Sequence, residues 1–274
     1  MTLPTRMRGR VLIIAGSDSG GGAGIQADIK TVTALGGYSA TAVTAVTVQN
    51  TQGVAAIHAI PVQTVVGQIK AVLADIGADV IKTGMLASGE IIDTVFAILR
   101  REASAIPLIV DPVMVAKGGA PLVDDDARLA LKRRLLPSAA LITPNLPEAE
   151  VLIGGKIDSV SAMRATAIAL LDLGPRAVLL KGGHLPGNTV VDIYRGPEGT
   201  QEWSGPRIDT RHTHGTGCTL ASAIATGLAQ GLSAIDSISR ARAYVRRALE
   251  TAPGLGKGHG PLNHAHTVRP FTEE

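Results

Sequence analysis

The sequence predicts an α/β domain: a mainly parallel sheet with helices on both faces and an antiparallel strand pair late in the chain. Three observations carry this. Short apolar runs alternate with segments of helical period from Val11 to Lys181. The runs end in glycine or polar residues, as buried parallel strands do. From Gly187 to Thr213 the helical period disappears, and "TVVDIYR" and "TQEWSG" flank the turn "GPEG", a hairpin signal.

Each element follows in order. "VLIIAG" (Val11 to Gly16) is a buried strand, and "GIQADIKTVTALGG" places Ile25, Ile29, Val32 and Leu35 at helical spacing. "YSATAVTAVTVQ" is β-rich. "VQTVVGQIKAVLADIG" is a helix, "DVIKTG" a strand, "EIIDTVFAILRR" a helix and "PLIVDPV" a strand. "DDDARLALKRRLLP" is a helix with acids at its start and bases near its end, which suits the helix dipole. "ALITPN", "AMRATAIALLDLG" and "AVLLKGG" add a strand, a helix and a strand. Helices over 217–230 and 234–249 close the fold, and "GLGKGHGPLNHAHTVRP" is loop-like. No linker or fixed-period repeat interrupts the pattern. The predicted division is a tail at 1–10, one domain at 11–266 and a tail at 267–274.

Composition narrows the function. The chain has 274 residues, of which 45% are hydrophobic, and only six are Phe, Tyr or Trp. The core must therefore be built from Ala, Val, Leu and Ile. The net charge of +3 is carried by scattered lysines and arginines. Neither the basic patch nor the stacking aromatics of a nucleic-acid binder is present. No apolar run approaches the roughly 18 residues of a membrane span, and "MTLPTRMRGR" lacks the apolar stretch of a signal peptide. The single cysteine cannot form an internal disulfide, so a cytoplasmic setting is expected.

The unusual residues gather at strand ends: "GSDSGGGAG", "VQNTQG", "KTGM", "DPVMVAKGG", "TPNLPEAE" and "KGGH". Ligands of open parallel sheets bind at that edge. "HGTGC" is the most telling turn. Gly215 and Gly217 permit a concave nest of N–H groups, and the following helix adds its positive N-terminal end. Such a turn suits a transferring phosphoryl group. Cys218 stands in the first helical turn, where a lowered thiol pKa is expected. It is a candidate proton acceptor, with a small buried residue at a tight helix start as the alternative. No P-loop is present. His212, His214 and Cys218 invite a zinc reading, but the paired ligands of structural zinc sites are missing.

"AGSDSGGGAGIQADIKT", "TAVTVQNTQGV", "KTGML", "DPVMVAKGG", "LITPNLPEAEVL", "LLKGGH" and "THGTGCTLASA" occur in this order. Together they resemble hydroxymethylpyrimidine/phosphomethylpyrimidine kinases of thiamine biosynthesis, members of the ribokinase-like superfamily close to pyridoxal kinases. The resemblance spans about Val11 to His264. It implies a three-layer αβα kinase domain, a homodimer, and an ATP- and Mg2+-dependent enzyme. That enzyme phosphorylates 4-amino-5-hydroxymethyl-2-methylpyrimidine and then its monophosphate.

Carried onto this chain, the resemblance puts Gly16, Asp18, Gln49, Met85 and Val113 around the pyrimidine. Gln49 suits an aminopyrimidine edge because one amide both donates and accepts. Asn145 and Glu148 match the N-x-x-E motif near magnesium and triphosphate; read alone they are a helix cap. Asp111 would help arrange the metal, and Lys181 would face the phosphates. Gly215, Thr216 and Gly217 would form the anion hole, and Cys218 would be the base. Lys117 would belong to a flap, and Lys257 and Gly258 to the nucleotide pocket. The chain departs from the family pattern at Gly20 and Gly118, each in place of serine. Rival readings are a pyridoxal kinase and a non-catalytic pyrimidine or pyridoxal phosphate binder. A dinucleotide binder is disfavoured because Gln49 and Asn50, not an acid, end the second β segment.

Overall fold

The computed structural model describes residues 9–114, 124–269 and 272. Lys117 and Gly118 lie outside them. The chain order is β1 (Arg10–Asp18), α1 (Gly24–Ala34), β2 (Tyr38–Asn50), β3 (Gly53–Ala59), α2 (Val62–Asp75), β4 (Val80–Thr83), α3 (Gly89–Glu102), β5 (Leu108–Val110), α4 (Asp125–Ala130), β6 (Leu141–Ile142), α5 (Leu146–Ile153), α6 (Val160–Leu171), β7 (Val178–Lys181), β8 (Thr189–Gly196), β9 (Gly199–Pro206), α7 (Thr216–Ala229) and α8 (Ala234–Glu250). Among the described residues these strands form one sheet in the order β3-β2-β1-β4-β5-β6-β7-β8-β9. From β2 across to β7 every pairing is parallel, while β3, β8 and β9 are antiparallel additions at the two edges.

Both faces of the sheet are covered, so β1 reads as a continuous apolar run. Its side chains still alternate. Leu12 and Ile14 join the core under α2, α3 and α6, and Val11, Ile13 and Ala15 join the core under α7 and α8. The three-layer αβα arrangement expected from the sequence is what the chain adopts. Helix starts are capped by short polar side chains: Ser88 for α3, Asp124 for α4, Ser159 for α6 and Ser233 for α8. Among the described residues no helix is long and apolar enough to cross a membrane.

Three local features differ from expectation. The helix predicted over "DDDARLALKRRLLP" is α-helical only to Ala130, then takes a π-turn at Leu131–Leu135 and a 3-10 turn at Leu136–Ser138. Pro137 has no N–H to donate and its ring presses on the preceding turn, so α-geometry cannot continue. Strand β3 is largely exposed and low in large apolar residues, so no period announces it. The last segment, read as loop, contains a 3-10 turn at His264–Thr267.

His264 fastens that turn to α7, its Nε2 lying 3.0 Å from Thr219 Oγ1. Burial, aided by the charge of Lys30, pushes its imidazole down to about 4. The unfolded chain, with an ordinary histidine near 6.5, therefore binds the extra proton first. Stability should fall as pH drops from about 6.5 to 4, with a slope of at most ~1.4 kcal/mol per pH unit from this group. Urea unfolding at pH 7 and pH 4.5 checks this. His264→Gln should lose less stability across that interval than the wild type, and equal losses would refute the assignment.

Candidate active site

A cavity of about 1140 Å³ opens at the carboxyl ends of the parallel strands and the N-terminus of α7. Most of the strand ends singled out in the sequence meet there. Its wall includes Gly16 and Asp18 after the β1 core run, Gln49 from β2, Met85 after β4, Asp111 and Val113 after β5, Asn145 and Glu148 after β6, Lys181 of β7, and Gly215, Thr216, Gly217 and Cys218.

The floor is a charged cluster. Lys181 Nζ donates to Asp111 Oδ1 at 3.1 Å, and Thr143 Oγ1 donates to the same oxygen at 2.9 Å. Burial works against the charge of Lys181, but Asp111 and Glu148 outweigh it and hold the ammonium above its ordinary value. Strand β7 is placed by the Lys181 amide, which donates to Pro144 O at 2.9 Å. Asn145 and Glu148 form a complete capping box at the start of α5: Glu148 N donates to Asn145 Oδ1 at 2.9 Å, and Asn145 N to Glu148 Oε2 at 2.8 Å. Burial first, and Asp111 second, push the Glu148 carboxyl up to about 7 against the pull of Lys181. The pair therefore caps α5, as read from the residues alone, and Glu148 also borders the cavity.

The glycine turn sits directly over this cluster. Gly215 caps α7 in the left-handed conformation, φ +83°, with no side-chain cap on the first-turn amides. A Cβ on Gly215 would lie 1.8 Å from Gly22 O, so the turn and the first loop meet backbone to backbone. A Cβ on Gly217 would lie 3.4 Å from Lys181 Nζ and 3.7 Å from Asp111 Oδ2. Uncapped amides at a helix N-terminus beside a buried ammonium make a site for an anion.

Cys218 borders the cavity at the same turn. The sequence predicted a lowered thiol pKa; the structure reverses the sign. Desolvation, with Asp28 and Asp111 adding to it, pushes the thiol up to about 12, and Lys82 and the Gly24 amide offset only part. A helix N-terminus lowers a thiol pKa only where the thiolate also keeps its solvation.

The pyrimidine-side residues are also clarified. A Cβ on Gly16 would lie 2.4 Å from Met85 Cε, so glycine there leaves room for the methionine. Asp18 borders the cavity, but its carboxylate organises the chain. Oδ1 accepts from Gly20 N, while Oδ2 accepts from Gly22 N and Ala23 N and lies 2.9 Å from His214 Nε2. Burial works against the charge, yet His214 and these amides hold Asp18 below the usual carboxylate range. That carboxylate thus builds the first loop at the cavity wall. Ser19 fixes the Gln49 backbone on both sides: its Oγ accepts from Gln49 N at 2.8 Å and donates to Gln49 O at 2.7 Å.

Lys257 and Gly258 are not part of the cavity wall. A Cβ on Gly258 would lie 2.0 Å from Thr51 O, and Gly258 N donates to Thr51 Oγ1 at 3.2 Å. The segment is packed on the β2–β3 turn, with His259 alone of the three reaching the cavity. The zinc alternative finds no support: among the described residues no group of three His, Cys, Asp or Glu side chains is placed to hold a metal. Sequence reasoning missed two partners here. The sequence pattern offers His214 only as a metal ligand, and Lys82, paired with Asp28 at 2.9 Å, only as part of a strand end.

The family model described as phosphomethylpyrimidine kinase matches residues 18–263. A thiamine biosynthesis bifunctional protein ThiED of Geobacter sulfurreducens is 53% identical over 257 residues, 94% of this chain; the chain spans only 52% of that protein. A hydroxymethylpyrimidine/phosphomethylpyrimidine kinase of Streptomyces coelicolor is 47% identical over 93% of both chains. Among solved structures, a phosphomethylpyrimidine kinase from Clostridium difficile is 41% identical, with TM-score 0.78 over 87% of this chain and 98% of that one. A pyridoxal kinase from Staphylococcus aureus in complex with AMP-PCP is 33% identical, with TM-score 0.87 over 96% of both.

Proposed function

The chain belongs to the phosphomethylpyrimidine kinase family, and on that premise we propose that it phosphorylates 4-amino-5-hydroxymethyl-2-methylpyrimidine with ATP and then phosphorylates the monophosphate to the diphosphate. One observation carries the reading: the uncapped Gly215–Cys218 turn lies directly over the buried Lys181–Asp111 pair at the cavity floor. We take residues 11–266 as the kinase domain and, on the family resemblance, read the protein as a cytoplasmic homodimer.

Phosphoryl transfer needs little covalent help from a protein; it needs alignment and charge stabilisation. The amides of Gly217 and Cys218 would hold the transferring group, joined by that of Thr216 on release from its 3.3 Å bond to Thr213 O, and Lys181 would neutralise charge from below. Asp111 and Glu148 fit a magnesium ion. They are oxygen ligands, as this cation prefers, and two buried carboxylates crowd one lysine, with burial first and Asp111 second pushing Glu148 up to about 7. Bound magnesium would neutralise the triphosphate. Gly16, Gln49, Met85 and Val113 would receive the pyrimidine, with Asp18 acting through the loop it builds. Cys218 would accept the hydroxyl proton.

The test is ATP-to-ADP turnover with magnesium, offering the hydroxymethylpyrimidine, its monophosphate and pyridoxal in parallel, with products identified by mass. Conversion of both pyrimidines to the diphosphate is expected. Turnover of pyridoxal alone would transfer the chain to the neighbouring activity. Binding without turnover would make it a carrier.

A further inference from the structure

Four polar groups around Gln49 leave one consistent pattern of protons. His214 Nε2 lies 2.9 Å from Asp18 Oδ2 and 3.2 Å from the outer atom of the Gln49 amide. Asp18 is an ionised carboxylate that already gathers the Gly20, Gly22 and Ala23 amides. It can only accept, so His214 Nε2 carries the proton. A ring nitrogen that donates to Asp18 cannot also accept from an amide N–H, and its single proton is shared, as a bifurcated bond, with the Gln49 atom beside it. The Gln49 atom facing it must therefore be the carbonyl oxygen.

The other end of the amide agrees. Thr47 Oγ1 lies 3.0 Å from Ser17 O and 3.0 Å from the inner amide atom of Gln49. One hydroxyl has one proton, and Ser17 O, which cannot donate, takes it. The inner Gln49 atom is then the NH2, donating to Thr47 Oγ1. Amide orientation is assigned by satisfying all partners at once, and only this one does so. His214 is also fixed in place: its amide donates to Gly260 O at 3.1 Å, and it directly precedes the Gly215 turn.

We infer that His214 is a positioning residue for substrate selection: held by Asp18, it fixes the Gln49 amide with oxygen toward His214 and NH2 toward Thr47, and so sets the order of acceptor and donor presented to the substrate edge. This rests on the proposed pyrimidine kinase activity. An aminopyrimidine edge offers a donor beside an acceptor. A 4-oxopyrimidine of the same shape, with its ring N–H, offers the reverse order, and an amide unable to turn rejects it.

The experiment compares kcat/KM for the 4-amino and 4-oxo hydroxymethylpyrimidines. The ratio of the two cancels the fraction of folded enzyme, so loss of structure alone does not move it. His214→Phe, which keeps a ring but no N–H, should lower the amino-to-oxo ratio about ten-fold, roughly the worth of one hydrogen bond. His214→Gln, which restores a donor, should recover most of it. Thr47→Val removes the inner anchor with little change of shape and should lower the ratio in the same direction. A wild-type ratio retained by both His214→Phe and Thr47→Val overturns the inference while leaving the kinase reading intact. No turnover of either pyrimidine by the wild type takes both down.

Discussion

Cys218→Ala is expected to keep the fold and nucleotide binding and to lower phosphorylation of the hydroxymethyl substrate by about 10²–10⁴-fold, the range for loss of a general base. The raised thiol pKa sharpens this. With the thiol pushed up to about 12, only a small fraction is thiolate at neutral pH, and that fraction rises ten-fold per pH unit. The first phosphorylation should therefore speed up as pH rises from 7 to 9 in the wild type and lose that slope in Cys218→Ala. In the second phosphorylation the attacking group is a phosphate oxygen that is already largely ionised, so this step should be hurt less and show the shallower profile. Single-turnover rates for both substrates across that range decide the matter. A variant with unchanged first-step rate would remove Cys218 as the base. Equal losses in both steps would leave it a packing residue of the turn.

Why the sign of that shift escaped the sequence shows what a sequence carries. A helix start is local, and "HGTGC" announces it. Desolvation is not local: it comes from the burial of the turn in the folded chain, with Asp28 of α1 adding to it and Lys82 of β4 opposing it. The parallel strands were legible because burial on both faces leaves continuous apolar runs ending in "DPV", "TPN" and "KGG". That Asp111 and Lys181, 70 residues apart, meet over one strand was not. It requires the order β5-β6-β7, which no run of residues states. That Gly258 packs on Thr51 was not legible for the same reason, since a glycine-rich loop does not say which neighbour it packs on. One signal was available and passed over. Asp28 lies one turn from Ile25 and Val32 on the apolar stripe of α1 and is fully buried beside Ala27, Thr31 and Val32, while Ile29, at the stripe's edge, is exposed. A carboxylate on an apolar stripe needs a partner.

That partner makes Lys82→Met the substitution with the largest expected effect on stability. Lys82 and Asp28 are both fully buried, with Lys82 Nζ donating to the two carboxylate oxygens at 3.0 and 2.9 Å and Ser222 Oγ donating to Oδ1 at 2.6 Å. The three join β4, α1 and α7. Removing the lysine alone strands a carboxylate among apolar neighbours and should lower unfolding free energy by about 3–5 kcal/mol. Replacing both, as Lys82→Met with Asp28→Leu, removes the stranded charge and should restore most of that loss, because a buried pair repays little beyond its own desolvation. Chemical denaturation of the two variants beside the wild type tests this; a double variant as unstable as the single one would refute it. If stability returns while first-step turnover does not, the pair is retained for the charge it places beside Cys218. If both return, its place in the fold is to register α1 and α7 against β4, a task that apolar side chains of similar volume then perform as well.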